Sequence, residues 1–200
     1  TVNLQQMVKA IQESLGLSQD GIVGPKTISA IYEKVCGTKE EIQQGDAIVD
    51  ERSARCISTL HLVLQEIAKR FLERCHLKNL GIKIICGTRT YEEQAELYSK
   101  GRTTSGAKVT NAGPGQSMHN FGLAFDIGVF VDGKYLPESE NYEIAGQIGE
   151  SLGLDWGGNF KSIKDEPHFE LRPEWAITKS NSAMLAELRR RKEVGTDALV

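Results

Sequence analysis

The chain is 200 residues long and 40% hydrophobic, with 24 basic and 27 acidic residues and a formal net charge of −3 at pH 7. That length and apolar content allow one substantial core with a small appended module. The slight acidity excludes the broad basic field that draws a protein onto nucleic acid, and no apolar run approaches the ~20 residues needed to cross a bilayer.

Residues Leu4, Met7, Val8, Ile11 and Leu15 fall at helical spacing, and "GLSQDGIVGPKT" follows as a run of turn signals. A second helix is predicted from Pro25 and Lys26 to about Cys36, because proline is tolerated in a first helical turn. The words "VKAIQESLGL", "DGIVGPKT" and "ISAI" resemble the first half of the small helical peptidoglycan-binding module of many cell-wall hydrolases. A helical hairpin that merely packs on the main domain is the other reading of residues 1–37. Residues 37–50 are polar and broken by Gly37 and Gly45, which suits a linker. The predicted boundaries are a module at 1–37, a linker at 38–54, a main domain at 55–178 and a helical tail at 179–200.

From Glu51 to His76, residues Ile57, Leu60, Leu64, Ile67, Phe71 and Cys75 recur at i+3 and i+4, which predicts one long amphipathic helix. "GIKIICGTRT" reads as a strand, and "YEEQAELYSKG" as a helix stopped by Gly101. Residues 101–117 form a long, glycine-rich loop of the kind that usually has a functional reason to exist. In "GPGQSMHNFGLAFDIGVF", residues Leu123, Phe125, Ile127 and Val129 fall on one face of a strand, and Gly122, Ala124, Asp126 and Gly128 on the other. The first face is core. The second is bare around Asp126, whose burial alone would cost several kcal/mol, roughly, so it needs a cation.

"VDGKYL" reads as a hairpin or loop, residues 141–152 as a helix ending at Gly153, and "SAMLAELRRRKEVG" as an amphipathic helix with a solvated arginine run. The cysteines Cys36, Cys56, Cys75 and Cys86 contain no C-x-x-C pair. Small apolar packing is expected of all four, with Cys56 and Cys75 too far apart on one straight helix to pair.

The cation beside Asp126 is either a paired Arg or Lys or a metal ion, and the flanks favour zinc. His119 in "SMHNFGLAFD" and His168 in "DEPHFE" sit beside acidic and glycine-rich sequence. Hydrolytic zinc takes three ligands from His, Asp and Glu and keeps one position open, and His119, Asp126 and His168 supply that set. Two neutral imidazoles and one carboxylate leave the site net positive, which acidifies a bound water. A packed or solvated role is expected for His61 and His76.

"SMHNFGLAFD" and "DEPHFE" resemble the S-x-H-x-x-G-x-A-x-D and acidic-x-x-His signatures of zinc peptidases related to bacterial D-Ala-D-Ala dipeptidases and carboxypeptidases. The longer run from "GTRTYEEQAELYSKGR" to "DEPHFEL" is most similar to the L-alanyl-D-glutamate endopeptidase branch, over roughly residues 55–172. The resemblance implies zinc ligands at His119, Asp126 and His168, a general base at Asp165, and an oxyanion-stabilising or substrate-binding Arg89. Such an arginine contributes ~2.7–4 kcal/mol, by analogy with single oxyanion-hole donors. By spacing in an ideal strand, Glu166 shares the face of His168 and competes with Asp165, whereas a bend at Pro167 reverses that choice. Ser117 is expected either to bind substrate or to cap its turn, and Trp156 either to line the cleft or to fill core.

The expected fold is α+β, with an antiparallel sheet carrying Asp126 and His168, helices opposite and glycine-rich loops on the rim, as in D-Ala-D-Ala carboxypeptidases and hedgehog domains. The expected activity is zinc-dependent cleavage of the peptidoglycan stem peptide at L-Ala-D-Glu, by an endolysin or autolysin. A D,D-carboxypeptidase or dipeptidase, or a non-catalytic wall-binding zinc protein, is the alternative. Peptidoglycan is the expected partner, Zn2+ the cofactor and a monomer the expected state, with no nucleic acid and no membrane insertion. Residues 1–15 lack a secretory signal, so the expectation is either a phage lysin awaiting release from the cytoplasm or an exported enzyme shown after signal removal.

Overall fold

The fold comes from a computed structural model, which describes residues 3–22, 27, 30, 31, 34, 49–161 and 164–200. The chain divides into two compact units, Thr1–Gly45 and Asp46–Val200, and the division falls inside the 38–54 segment.

In the first unit, α1 (Leu4–Ser14) starts at a capping box. The Asn3 side chain accepts from the Gln6 amide at 2.8 Å, and Gln6 Oε1 accepts from the Asn3 amide at 3.1 Å. Two amides that a helix start leaves open are thereby satisfied. Gln12 is buried and ties α1 to the following turn. Its Nε2 donates to Asp20 Oδ1 at 2.6 Å and to the Ile22 carbonyl at 3.0 Å, and its Oε1 accepts from the Gly21 amide at 2.9 Å. Thr27, Ala30, Ile31 and Lys34 are helical. The bounds of the helix predicted from Pro25 and Lys26 to Cys36 lie outside the described residues, as does Cys36 itself.

The periodicity predicted one helix over Glu51–His76, but the chain forms two, α2 (Glu51–Ser58) and α3 (Leu62–Leu77). Between them the backbone finds partners outside the helix. The His61 amide donates to the Gly122 carbonyl at 2.9 Å, and Thr59 Oγ1 accepts from the Thr88 amide at 3.0 Å. The apolar stripe survives the break, because both helices lay it on the same core. Cys56 and Cys75 therefore do not share one straight helix, and both thiols are free. Burial pushes the Cys75 thiol up to about 12, in keeping with an inert core filler.

The sheet holds β1 (Ile82–Cys86), β2 (Ala124–Val131), β3 (Lys134–Leu136), β4 (Asp155–Trp156) and β5 (His168–Glu170). All pairings are antiparallel, in the order β1-β2-β5-β4, with β3 also on β2. The architecture is thus α+β with an antiparallel sheet. The β2–β3 hairpin turns at Asp132 and Gly133, both at positive φ (50° and 77°), the geometry that Asp-Gly favours.

One face of β2 is core, as its alternation predicts: Leu123, Phe125, Ile127 and Val129 are all fully buried. Phe125 and Phe169 are cross-strand partners with ring centroids 5.5 Å apart, and Phe71 of α3 packs on both, at 5.5 and 4.9 Å. Tyr142, Ala145 and Ile148 of α5 (Asn141–Ser151) complete this layer. Gly146 of the same helix has to be glycine, since a Cβ there would lie 2.4–2.5 Å from Trp156 ring atoms. Between β1 and the long loop lies α4 (Tyr91–Ser99).

The last helix, α6 (Asn181–Val194), is part of the second unit. Its Met184 and Leu188 join Met118, Leu123, Ala124 and Ala176 in a second small core. Its arginine run is not one solvated face. Arg190 is exposed, but Arg189 donates to the Gly115 carbonyl at 2.9 Å and Arg191 lies 4.5 Å from the Trp175 ring centroid. Lys192 donates to the Asn120 carbonyl at 2.7 Å. Two cations of α6 thus hold the segment that carries His119.

Candidate metal centre

Antiparallel pairing places Asp126 of β2 directly opposite His168 of β5, so both side chains project from the same face of the sheet. His119 reaches them from a 3-10 turn, Met118–Phe121, just before β2. Its ring is fully buried, and Nδ1 lies 2.7 Å from the Gly87 carbonyl. A carbonyl only accepts, so in the neutral ring Nδ1 carries the proton and Nε2 presents a lone pair. That lone pair lies 3.1 Å from Asp126 Oδ1 and 3.3 Å from His168 Nδ1, and His168 Nδ1 lies 3.0 Å from the same Oδ1. The other nitrogen of His168, Nε2, lies 3.0 Å from Glu170 Oε2 and donates to it.

With both imidazoles neutral, three lone pairs converge within 3.3 Å. Such a cluster persists only with a proton or a cation among its members. Donors about 2.0–2.1 Å from one tetrahedral zinc ion lie about 3.3 Å from each other, so the observed spacings fit the ion. The outer partners fit as well, since ligating histidines characteristically donate their second N–H to a carbonyl or carboxylate, here Gly87 and Glu170.

The electrostatics of the metal-free protein follow from this geometry. Burial works against ionising Asp126, but His119 and His168 outweigh it and hold the carboxyl well below the usual carboxylate range. Burial also works against a charged His168, yet its hydrogen bonds to Asp126 and Glu170 raise it to about 10. Without an ion, a proton on His168 therefore occupies the middle of the cluster at neutral pH.

Arg89 follows β1, and its amide donates to the His119 carbonyl at 3.1 Å. Its Nη2 lies 3.4 Å from Asp126 Oδ2, and its Nη1 donates to Gln94 Oε1 at 3.0 Å. The buried Arg89 Nε has no partner. Gln94, fully buried on α4, also donates to the Ala112 carbonyl at 2.7 Å, which ties the long loop to the arginine. Arg89, Ser117, His119, Asp165, His168 and Glu170 all line one cavity of about 530 Å³. Ser117 precedes the 3-10 turn without capping it by its side chain, so its hydroxyl is free to face a ligand.

Asp165 and Glu166 part at the turn. The His168 amide donates to the Asp165 carbonyl at 3.0 Å, which makes a turn across Glu166 and Pro167 and breaks the alternation of an ideal strand. Asp165 lines the cavity, whereas the Glu166 carbonyl is fixed by Trp156 Nε1–H at 2.8 Å. Burial first, then the charge of Asp126, raises the Asp165 carboxyl above its ordinary value, while His168, His119 and Arg89 pull the other way.

Trp156 does not line the cleft: its ring fills core against Gly146 and Gly158, and its N–H braces the Glu166 turn. Cys86 lies on the site face of the sheet. A register shift between Ile84 and Cys86 pairs Cys86 with Asp126 and brings its thiol to the site face. The thiol and ligand atoms of His119 and Asp126 all lie within 4.8 Å of one another. Glu170 and Gln94 are further residues that the structure adds to the site. The i, i+2 spacing of His168 and Glu170 on a strand was the available signal for the first; Gln94 had none beyond its place on a helix near Arg89.

Residues 110–171 match a family model for D-alanyl-D-alanine carboxypeptidase. Over 127 residues the chain is 35% identical to the peptidoglycan L-alanyl-D-glutamate endopeptidase CwlK of Bacillus subtilis (strain 168), which covers 58% of this chain and 75% of that protein. Among solved structures the chain is similar to the L-Ala D-Glu endopeptidase ChiX of Serratia marcescens, with a TM-score of 0.47 and 23% identity over 64% of this chain and 94% of that one. It is also similar to a variant of the vancomycin resistance D,D-pentapeptidase VanY from a VanB-type cassette, in complex with Zn(II), with a TM-score of 0.46 and 20% identity over 65% of this chain and 83% of that one.

Proposed function

The chain belongs to the metallopeptidase family of the D-alanyl-D-alanine carboxypeptidases, and from that premise we propose a zinc endopeptidase that cuts the peptidoglycan stem peptide between L-Ala and D-Glu. The observation that carries the zinc reading is the convergence of His119 Nε2, His168 Nδ1 and Asp126 Oδ1 within 3.3 Å. The choice of bond is supported by the 35% identity to a relative that bears that activity in its name.

His119, Asp126 and His168 are the residues that would hold the ion. Bound there, zinc supplies Lewis-acid polarisation of the scissile carbonyl and acidifies a water molecule. Asp165 takes the proton of the attacking water and passes it to the leaving amine, a task that suits a carboxyl raised above its ordinary value. Arg89, fixed between Asp126 and Gln94, offers positive charge to the developing oxyanion. Ser117 binds the substrate backbone from the rim. Glu170 and the Gly87 carbonyl hold the two rings in orientation.

In the cell this activity belongs to a wall-lytic enzyme, an endolysin or autolysin acting as a monomer, with the N-terminal unit retaining it on the insoluble polymer. The family description itself favours a second reading, a D,D-carboxypeptidase acting at the D-Ala-D-Ala end. Mass spectrometry of defined muropeptides after digestion separates the two. A newly freed glutamyl amine supports the endopeptidase; free D-alanine supports the carboxypeptidase; an intact substrate with zinc bound rejects both.

A further inference from the structure

The open face of the sheet carries a row of three potential donors, one on each of three adjacent strands: Cys86, Asp126 and His168. The first is there only because β1 is irregular. In unbroken register Ile85 would oppose Asp126; the shift between Ile84 and Cys86 brings the thiol there instead. Sulfur and the ligand atoms of His119 and Asp126 then lie within 4.8 Å of one another. The ring beside it, His119, is fully buried, with its Nε2 turned into the same space, 3.1 Å from Asp126 Oδ1.

We propose that Cys86 is a fourth, exchangeable protein donor to this centre, one that closes on soft divalent ions such as Cd2+. This rests on His119 and Asp126 being metal ligands. A thiolate and an imidazole on one tetrahedral ion sit about 3.6 Å apart, so the thiol has at most about 1.2 Å to close on the His119 nitrogen. Zinc is borderline and takes imidazole, carboxylate and thiolate alike, whereas the softer Cd2+ gains more from sulfur. On closure Cys86 gives its proton to solvent and forms one sulfur–metal bond; nothing is oxidised or reduced. A fourth protein donor fills the position that a hydrolytic site keeps open. The centre therefore has an open three-donor state and a closed four-donor state, and the softness of the ion chooses between them.

The test is a Cd2+ titration of the metal-free full chain, wild type and Cys86→Ser, followed by the ultraviolet thiolate-to-cadmium charge-transfer band. Cys36, Cys56 and Cys75 are present in both proteins, so the difference spectrum isolates Cys86. The expected result is a band saturating at one equivalent in wild type and missing in the variant, with Cd2+ affinity reduced at least about tenfold and Zn2+ affinity changed much less. Equal Cd2+ affinity and identical spectra overturn the proposal while leaving the zinc centre intact. Loss of both Cd2+ and Zn2+ binding in the wild type overturns it together with the proposed function. Cys86→Ala, which keeps the site apolar, serves as the second variant should the serine protein fail to fold.

Discussion

His119 Nε2 and His168 Nδ1 face each other at 3.3 Å, with the outer nitrogen of each ring committed to donating, to the Gly87 carbonyl and to Glu170. Two inward lone pairs at that distance require a positive partner, and the choice between proton and metal makes zinc binding pH-dependent.

Because His168 in the metal-free protein holds its proton up to about 10, zinc loading at pH 7 displaces it. Calorimetric titration of the metal-free protein with Zn2+ in buffers of different ionisation enthalpy is expected to report release of about one proton, with affinity falling as the pH is lowered. Glu170→Gln, which removes one of the two carboxylates that raise His168, is expected to release less. A binding heat independent of buffer would reject the assignment.

The same protonation sets the stability of the metal-free protein. The pKa of His168 is raised from 6.5 to about 10 on folding, so its contribution is fully present below pH 6.5 and is lost as the pH rises through about 10. Asp126 is shifted the other way, so its contribution is full above 3.8 and is lost in acid. The chelated protein should therefore melt at progressively lower temperature between pH 7 and pH 10, and His168→Asn should flatten that slope. Zinc-loaded protein, which no longer carries this proton, should lack it.

Asp165→Asn is expected to lower kcat/KM by about 10²- to 10⁴-fold, the usual contribution of a general base, with zinc content unchanged. Glu166→Gln, whose side chain is not part of the cavity wall, is expected to stay within about threefold of wild type, roughly within 0.7 kcal/mol. Parallel kinetics and metal analysis of the two variants decide the matter. Equal losses in both would remove Asp165 from its role.

Gly146→Ala brings a methyl group against the Trp156 ring and should cost about 1–3 kcal/mol by overpacking. Trp156→Phe removes the bond to the Glu166 carbonyl and should cost about 1 kcal/mol, the net value of one hydrogen bond. Urea unfolding followed by circular dichroism measures both. An unchanged midpoint in Gly146→Ala would mean that the tryptophan does not sit against α5.

Much of this was legible in the chain. The alternation from Leu123 to Val129 identified the core face of β2 and isolated Asp126 on the other, since period-two side-chain direction is a local property. The flanking sequence of His119 and His168 singled out two rings that the fold brings within 3.3 Å of each other beside Asp126. Local pattern was insufficient wherever backbone groups took distant partners. The helix break at Thr59–His61 is made by Thr88 and Gly122, and the turn that separates Asp165 from Glu166 is braced by Trp156.

By itself, then, the sequence determined which residue types could hold a divalent cation and which strand face is bare, because residue chemistry and side-chain alternation belong to the chain. Tertiary structure alone decided which atoms meet. Asp126 opposes His168 across 42 positions of sequence, and a single-residue register shift turns Cys86 toward them. Such pairings depend on the register in which separate strands close, and register is set by the packed core and not by any one segment.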